Sequence, residues 1–139
     1  MTLDDAEYVA ELDAKSFTEQ DSWDSDYFFH RAQDDQAIYI VGELNGNVVA
    51  CAGVGFFDDA AEIETFAVDP EFRRRGIGTA LFNELSSAIN SRGAAMIFLE
   101  VRPSNHAALK FYTSLGFQIV DRMENFYGDE DAWAMMREV

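Results

Sequence analysis

The stretch "VDPEFRRRGIGTAL", residues 68–81, joins the end of a strand-like run to the start of a helical one. Upstream, "AEIETFAV" (61–68) alternates as a β-strand and stops at Asp69-Pro70. Downstream, Ile77, Leu81, Leu85, Ala88 and Ile89 fall on one face of a helix that should end near Arg92-Gly93, where glycine adopts a left-handed cap. Gly76 and Gly78 remove side chains where a ligand would approach the backbone. Free N–H groups at a helix start, reinforced by the helix dipole, form an anion site suited to a pyrophosphate. Arg73, Arg74 and Arg75 add positive charge around it, though not all three need touch a ligand. Two other phosphate loops fail on detail: there is no Gly-Lys-Ser/Thr, and Leu81 stands where a dinucleotide fingerprint needs its third glycine.

Working outward, "TLDDAEYVAELDAKSF" (2–17) and "DSWDSDYFFHRAQDD" (21–35) read as two helices, the second opening near Asp24. "AIYIVGELNGNVVACAGVGFF" (37–57) is two strands around the hairpin signal Asn45-Gly46. "AAMIFLEV" (94–101) is an apolar strand, and "SNHAALKFYTSLGF" (104–117) a helix opened by Ser104 and closed at Gly116. "FQIVDRMENFY" (117–127) and "DAWAMMREV" (131–139) form a final hairpin around "GDED". Helices between strands put parallel pairing in the middle of the sheet and antiparallel hairpins at its ends: one α/β (α+β) domain over 1–139, with a mixed central sheet of about six strands.

The chain carries 26 acidic against 10 basic side chains, a formal charge of -16, which argues against nucleic acid as a direct partner; the acidity either favours basic partners or serves solubility or adaptation to a salty or acid-proteome host. It has no apolar run long enough for a membrane span and no secretory signal, so a soluble cytoplasmic protein, monomer or weak dimer, is expected. Cys51, the single cysteine, sits in an apolar run and reads as a buried thiol. His30 and His106 read as surface residues without companions at metal-ligand spacing, so no metal is expected.

"VDPEFRRRGIGTAL" resembles the acyl-CoA binding motif of the GNAT superfamily, Gln/Arg-x-x-Gly-x-Gly/Ala, at Arg73, Gly76 and Gly78. "LEVRPSNHAALKFYTSLGF" (99–117) resembles that superfamily's next motif. Within it, "LEVRPSN", "FYTSLGF" and "NFYGDEDAWAMM" are most similar to the RimI group, the ribosomal protein alanine N-acetyltransferases. "DSWDSDYF" is similar to that group's Trp-Ser-x-x-x-Phe stretch, with Asp24 in place of the Ser.

The resemblance implies that acetyl-CoA enters a V-shaped gap between the strands ending at Val68 and Val101. Phe66 and Val68 would contact the pantetheine through their backbones, the N–H groups of roughly Arg74 to Thr79, Ile77 included, would hold the pyrophosphate, and Asn105 would meet the pantetheine. It also implies acetyl transfer to a protein N-terminal amine, best matched by the N-terminal alanine of a small-subunit ribosomal protein with a basic N-terminal peptide. A small-amine, polyamine or antibiotic acetyltransferase and a non-catalytic acyl-CoA sensor are the alternatives.

An N-terminal amine titrates near pH 8, so the demand on a base is modest. Glu100 interrupts "MIFLEV" at the end of an apolar strand, where burial would raise its pKa toward that of a useful base; it acts directly, acts through a water, or is a strand-end carboxylate paired with Arg102 or Arg122. Tyr112 shares a helix face with Asn105 and is either the acid that protonates the departing sulfur or a core aromatic. RimI-like enzymes use a Glu and a Tyr at these positions. The resemblance also makes Glu62 a competitor for the base role, since it matches the position from which histone-type members of the superfamily draw theirs, and Glu64 shares its strand face; either could instead bind a basic substrate. Tyr27, Phe28, Phe126 and Tyr127 wall a peptide groove or belong to the core.

Overall fold

The computed structural model describes residues 25–73 and 75–139, together with Asp5, Tyr8 and Ala10. The expected helix over 2–17, the "DSWD" stretch and Arg74 therefore lie largely or wholly outside the described residues. Helix α1 spans Ser25–Gln33, β1 Ala37–Leu44, β2 Asn47–Phe57 and β3 Ala60–Val68. A short 3-10 turn, Pro70–Phe72, leads to α2 (Ile77–Ser91), then β4 (Met96–Val101), α3 (His106–Ser114), β5 (Gln118–Met123) and β6 (Ala132–Glu138).

The six strands form one sheet in the order β1-β2-β3-β4-β6-β5. Only β3 and β4 run parallel, joined through α2, and every other neighbouring pair is antiparallel. Asn45 and Gly46 both have positive φ, 53° and 82°, as a tight hairpin turn requires. Two layers cover the sheet. On one face α2 buries Leu81, Phe82, Leu85 and Ile89 against Val54, Ile97, Leu99 and Met135, joined by Tyr112 and Phe117. Each such side chain contributes roughly 1.5–3 kcal/mol by leaving water, which holds the N-terminus of α2 in a fixed place. On the other face Phe28 of α1 packs with Tyr39, Cys51 and Ala67.

Three details differ from the reading of the sequence. Asn105, not Ser104, caps α3: its side chain accepts from the Ala108 N–H, while the Ser104 hydroxyl donates to Glu130. The last hairpin has a longer loop than "GDED", because β5 stops at Met123 and residues 124–131 fold on their own acids. Asp131 accepts from the Asn125 N–H and from Arg122, and Glu130 accepts from the Ser104 N–H. Finally, β3 is interrupted: Gly53 pairs with Thr65 but Val54 with Ile63, leaving Glu64 as an extra residue. This bulge changes the parity of the strand. Ala61 and Ile63 face α2, and beyond the bulge it is Phe66 and Val68 that pack there, while Ala67 joins the α1 cluster.

Candidate active site

The turn that opens α2 owes its shape to Gly76, which sits at the helix cap with φ 78° and no side-chain cap. The first helical bond runs from the Ala80 N–H to the Gly76 carbonyl, so the N–H groups of Ile77, Gly78 and Thr79 lie before it. Open space surrounds the Cβ position of Gly76, whereas a Cβ on Gly78 would stand 3.3 Å from the Phe111 ring. Gly78 is thus small for the sake of α3, a reason the sequence did not reveal. Gly76→Ala, by forcing a side chain into the left-handed region, should cost about 1–2 kcal/mol, read as a lower denaturation midpoint.

The arginines do less than their number suggests. Arg73 donates from Nε to the Val68 carbonyl at 3.2 Å, and the Arg75 guanidinium lies 5.2 Å from the Phe72 ring centroid. Both serve the loop itself, and what the described part of the turn offers an anion is first its backbone N–H groups.

Beside this loop the sheet opens. β3 and β4 are paired only at Ala60↔Met96, Ala61↔Ile97 and Glu62↔Phe98, although β3 continues to Val68 and β4 to Val101. Past Glu62 the facing edges have parted, leaving backbone groups for something other than each other. Uncapped N–H groups, an open glycine and two unpaired strand edges fit a pyrophosphate followed by an amide-bearing arm.

Two carboxyls stand at the mouth of this gap. Glu100 alternates with the core residues Leu99 and Val101 and so faces the α1 side, as Glu62 does between Ala61 and Ile63. Burial pushes the Glu100 carboxyl up to about 7, and a hydrogen bond and charge repulsion from Glu62 push the same way. The arginines considered as partners for Glu100 are engaged elsewhere, Arg102 with Asp129 and Glu130, and Arg122 with Asp131.

Glu64 has a different occupation. Its carboxylate accepts from Arg31 Nε and Nη2, both at 2.9 Å, and from the Tyr39 hydroxyl at 2.6 Å, with the Tyr27 hydroxyl at 3.5 Å. Bound this way, Glu64 and Tyr27 tie α1 to the sheet, and Glu64 is not a free acceptor for a basic substrate. The sequence reading missed Arg31 and Tyr39. Their signals were Arg31 one helical turn after Tyr27, and a phenol inside the apolar run "AIYIV".

Tyr112 lies on the opposite face of the sheet. Its ring packs edge-on against Phe66 and Phe117, its side chain is buried, and its hydroxyl has no hydrogen-bond partner among the described residues. Burial, and more weakly the nearby Tyr127, raise its pKa well above the ordinary phenol value. Tyr127 comes from the 124–131 loop, where its ring stacks 4.2 Å from the Arg102 guanidinium. Arg102 in turn is gripped by Asp129 and Glu130 of the same loop. Asn105 uses its Oδ1 to cap α3, which leaves its amide N–H groups to donate. His30 and His106 are exposed, and Cys51 is buried.

Residues 6–117 match the acetyltransferase (GNAT) family. The chain belongs to that family. A relative in Bacillus subtilis (strain 168), provisionally named a ribosomal protein bS18-alanine N-acetyltransferase, is 35% identical over 138 residues, covering 97% of this chain and 90% of its own. The N-alpha-acetyltransferase RimI of Mycobacterium tuberculosis is 33% identical over 144 residues, covering 99% and 89%. The crystal structure of the Escherichia coli ribosomal-protein-S18-alanine N-acetyltransferase superposes with a TM-score of 0.89 at 30% identity, covering 100% of this chain and 90% of that one. Solved structures of the same GNAT fold hold coenzyme A or acetyl-CoA. This GNAT protein is an acetyl-CoA-dependent N-acetyltransferase, and acetyl-CoA is its co-substrate. Among the described residues no helix is long and apolar enough to cross a membrane.

Proposed function

We propose that this enzyme acetylates the N-terminal α-amine of a protein, with the N-terminal alanine of a small-subunit ribosomal protein as its substrate. The substrate named for its relatives supports this reading, and one observation in the site carries the chemistry. A half-buried Glu100 titrating near neutrality stands where β3 and β4 part, within the range needed to take a proton from an α-amine.

The residues divide the work as follows. The N–H groups of Arg75 to Thr79 hold the pyrophosphate. The gap-facing backbone of Phe66 and Val68 and the Asn105 amide hold the pantetheine. Acetyl-CoA, when bound, supplies an acyl thioester whose carbonyl carbon the amine attacks and whose C–S bond then breaks. Glu100, directly or through a water, removes the proton that the amine nitrogen sheds as the C–N bond forms. Tyr112 gives its hydroxyl proton to the departing sulfur, so the proton count closes with a thiol and an amide. Its raised pKa keeps that proton on the oxygen throughout the working range. Tyr127 and Glu62 border the amine's approach, and the net charge of -16 draws in a basic peptide.

Release of free CoA tests the proposal. A basic peptide with a free N-terminal alanine should react well, the same peptide acetylated at its terminus should not, and a polyamine panel should be slow. Equal rates for the free and blocked peptides would refute N-terminal specificity. Turnover with the free peptide should also fall as salt rises, because steering by exposed charge is screened.

A further inference from the structure

We infer that Glu62 and Glu100 act as one proton-accepting unit, a carboxyl pair sharing a single proton, in which Glu62 is a positioning residue that sets the basicity of Glu100. This deepens the proposed function and rests on its reading of Glu100 as the base. The register of the two strands is the primary observation, for it sets Glu62 and Glu100 on one face at the point where β3 and β4 part, and the side-chain contact with Glu62 that helps raise the Glu100 carboxyl agrees with it. Two carboxylates offer only acceptors, so a bond between them requires a proton on one of them. The backbone enforces the encounter. Glu62 is the last β3 residue paired with β4, its partner Phe98 lies two positions before Glu100, and all three side chains point to the same face.

The surroundings offer the pair little else. Farther along β3, Glu64 is neutralised by Arg31 and held by Tyr39 and Tyr27. On α1, Asp26 and His30 are exposed, and Asp34 pairs with Arg31. Across β4 the residue opposite Glu100 is Ala134, and Asp121 lies one strand beyond on β5. Arg102, past the end of β4, is occupied by Asp129 and Glu130, and Arg122 by Asp131. Among the described residues no arginine, lysine or histidine forms an ion pair with Glu100 to stand in for the shared proton.

The unit works in one direction. With the shared proton in place the pair carries one negative charge and is a poor base. Losing that proton to solvent leaves two adjacent carboxylates, and taking one from the substrate amine relieves their repulsion. The rise of kcat/KM with pH should therefore follow the second ionisation of the pair.

The test is the pH profile of kcat/KM with one free Ala-terminated peptide for the parent enzyme, Glu62→Gln, Glu62→Asp and Glu100→Gln. Glu62→Gln removes the neighbouring charge, so the rising limb should move down by about one pH unit or more, with a several-fold lower plateau because the base has weakened. Glu62→Asp should return the limb toward its parental position. Glu100→Gln should abolish the limb. A limb that stays put in Glu62→Gln but vanishes in Glu100→Gln overturns the pair alone. A limb that survives in Glu100→Gln overturns the base assignment beneath it. Carbon-13 NMR of the glutamate carboxyls in the parent enzyme needs no variant: a Glu100 titration near 7 that is coupled to that of Glu62 supports the pair, and a Glu100 titration independent of Glu62 refutes it.

Discussion

Glu100→Gln should lower kcat/KM for a free Ala-terminated peptide by roughly 10²- to 10⁴-fold, the usual contribution of a positioned general base. Acetyl-CoA binding should be almost unaffected, because the anion site and the gap-facing backbone are untouched. Stability should move the other way. The Glu100 carboxyl titrates at about 7 in the folded protein, above its ordinary value. Between the two values the folded state holds a proton that the unfolded chain has released. The native state then binds more protons than the unfolded one, so stability falls as pH rises through this window. The uncharged amide avoids that loss, and at pH 8 Glu100→Gln should melt above the parent enzyme. Lower activity with higher stability is the signature of a group kept for chemistry. A variant that loses both would identify Glu100 as a structural carboxylate instead.

Tyr112→Phe should reduce kcat by about 10²-fold while leaving the acetyl-CoA KM nearly unchanged. The ring contacts with Phe66, Phe111 and Phe117 survive the substitution, so the variant keeps the packing of α3 against the sheet. The buried hydroxyl, which has no hydrogen-bond partner among the described residues, is all that is removed. Deleting an unsatisfied buried hydroxyl costs little stability and often improves it. Steady-state kinetics and thermal denaturation together check the prediction, and unchanged turnover would remove Tyr112 from the acid role.

Much of this architecture was legible in the chain because local rules agreed with one another. Asn45-Gly46 specified a turn that the backbone adopts, and the apolar stripe through Leu81, Leu85 and Ile89 specified the buried face of α2. What stayed hidden depends on contacts between distant segments. The bulge at Glu64 has no sequence signature, since it arises from how β2 and β3 pair, yet it decides which side chains reach the α2 face. The engagement of Arg73 and Arg75 with their own loop was equally hidden, because a run of arginines reads the same whether it meets a ligand, a carbonyl or a ring. Glu64 was expected beside the substrate on period alone; its phenol and guanidinium partners come from β1 and α1 and could be found only in three dimensions.

The parting of β3 and β4 has one more consequence. Glu100 faces one side of the sheet, and Tyr112 packs on the other with Phe66 and Leu99. A proton donor and a proton acceptor placed side by side would satisfy each other and idle. Set on opposite faces of a continuous sheet, they would be insulated by its backbone. On the proposed assignment a slit through the sheet resolves the conflict: it would keep the two groups apart in the resting enzyme and let a guest lying within it touch both. The reactants themselves would then complete the proton circuit, and the enzyme would be short-circuited only in their presence.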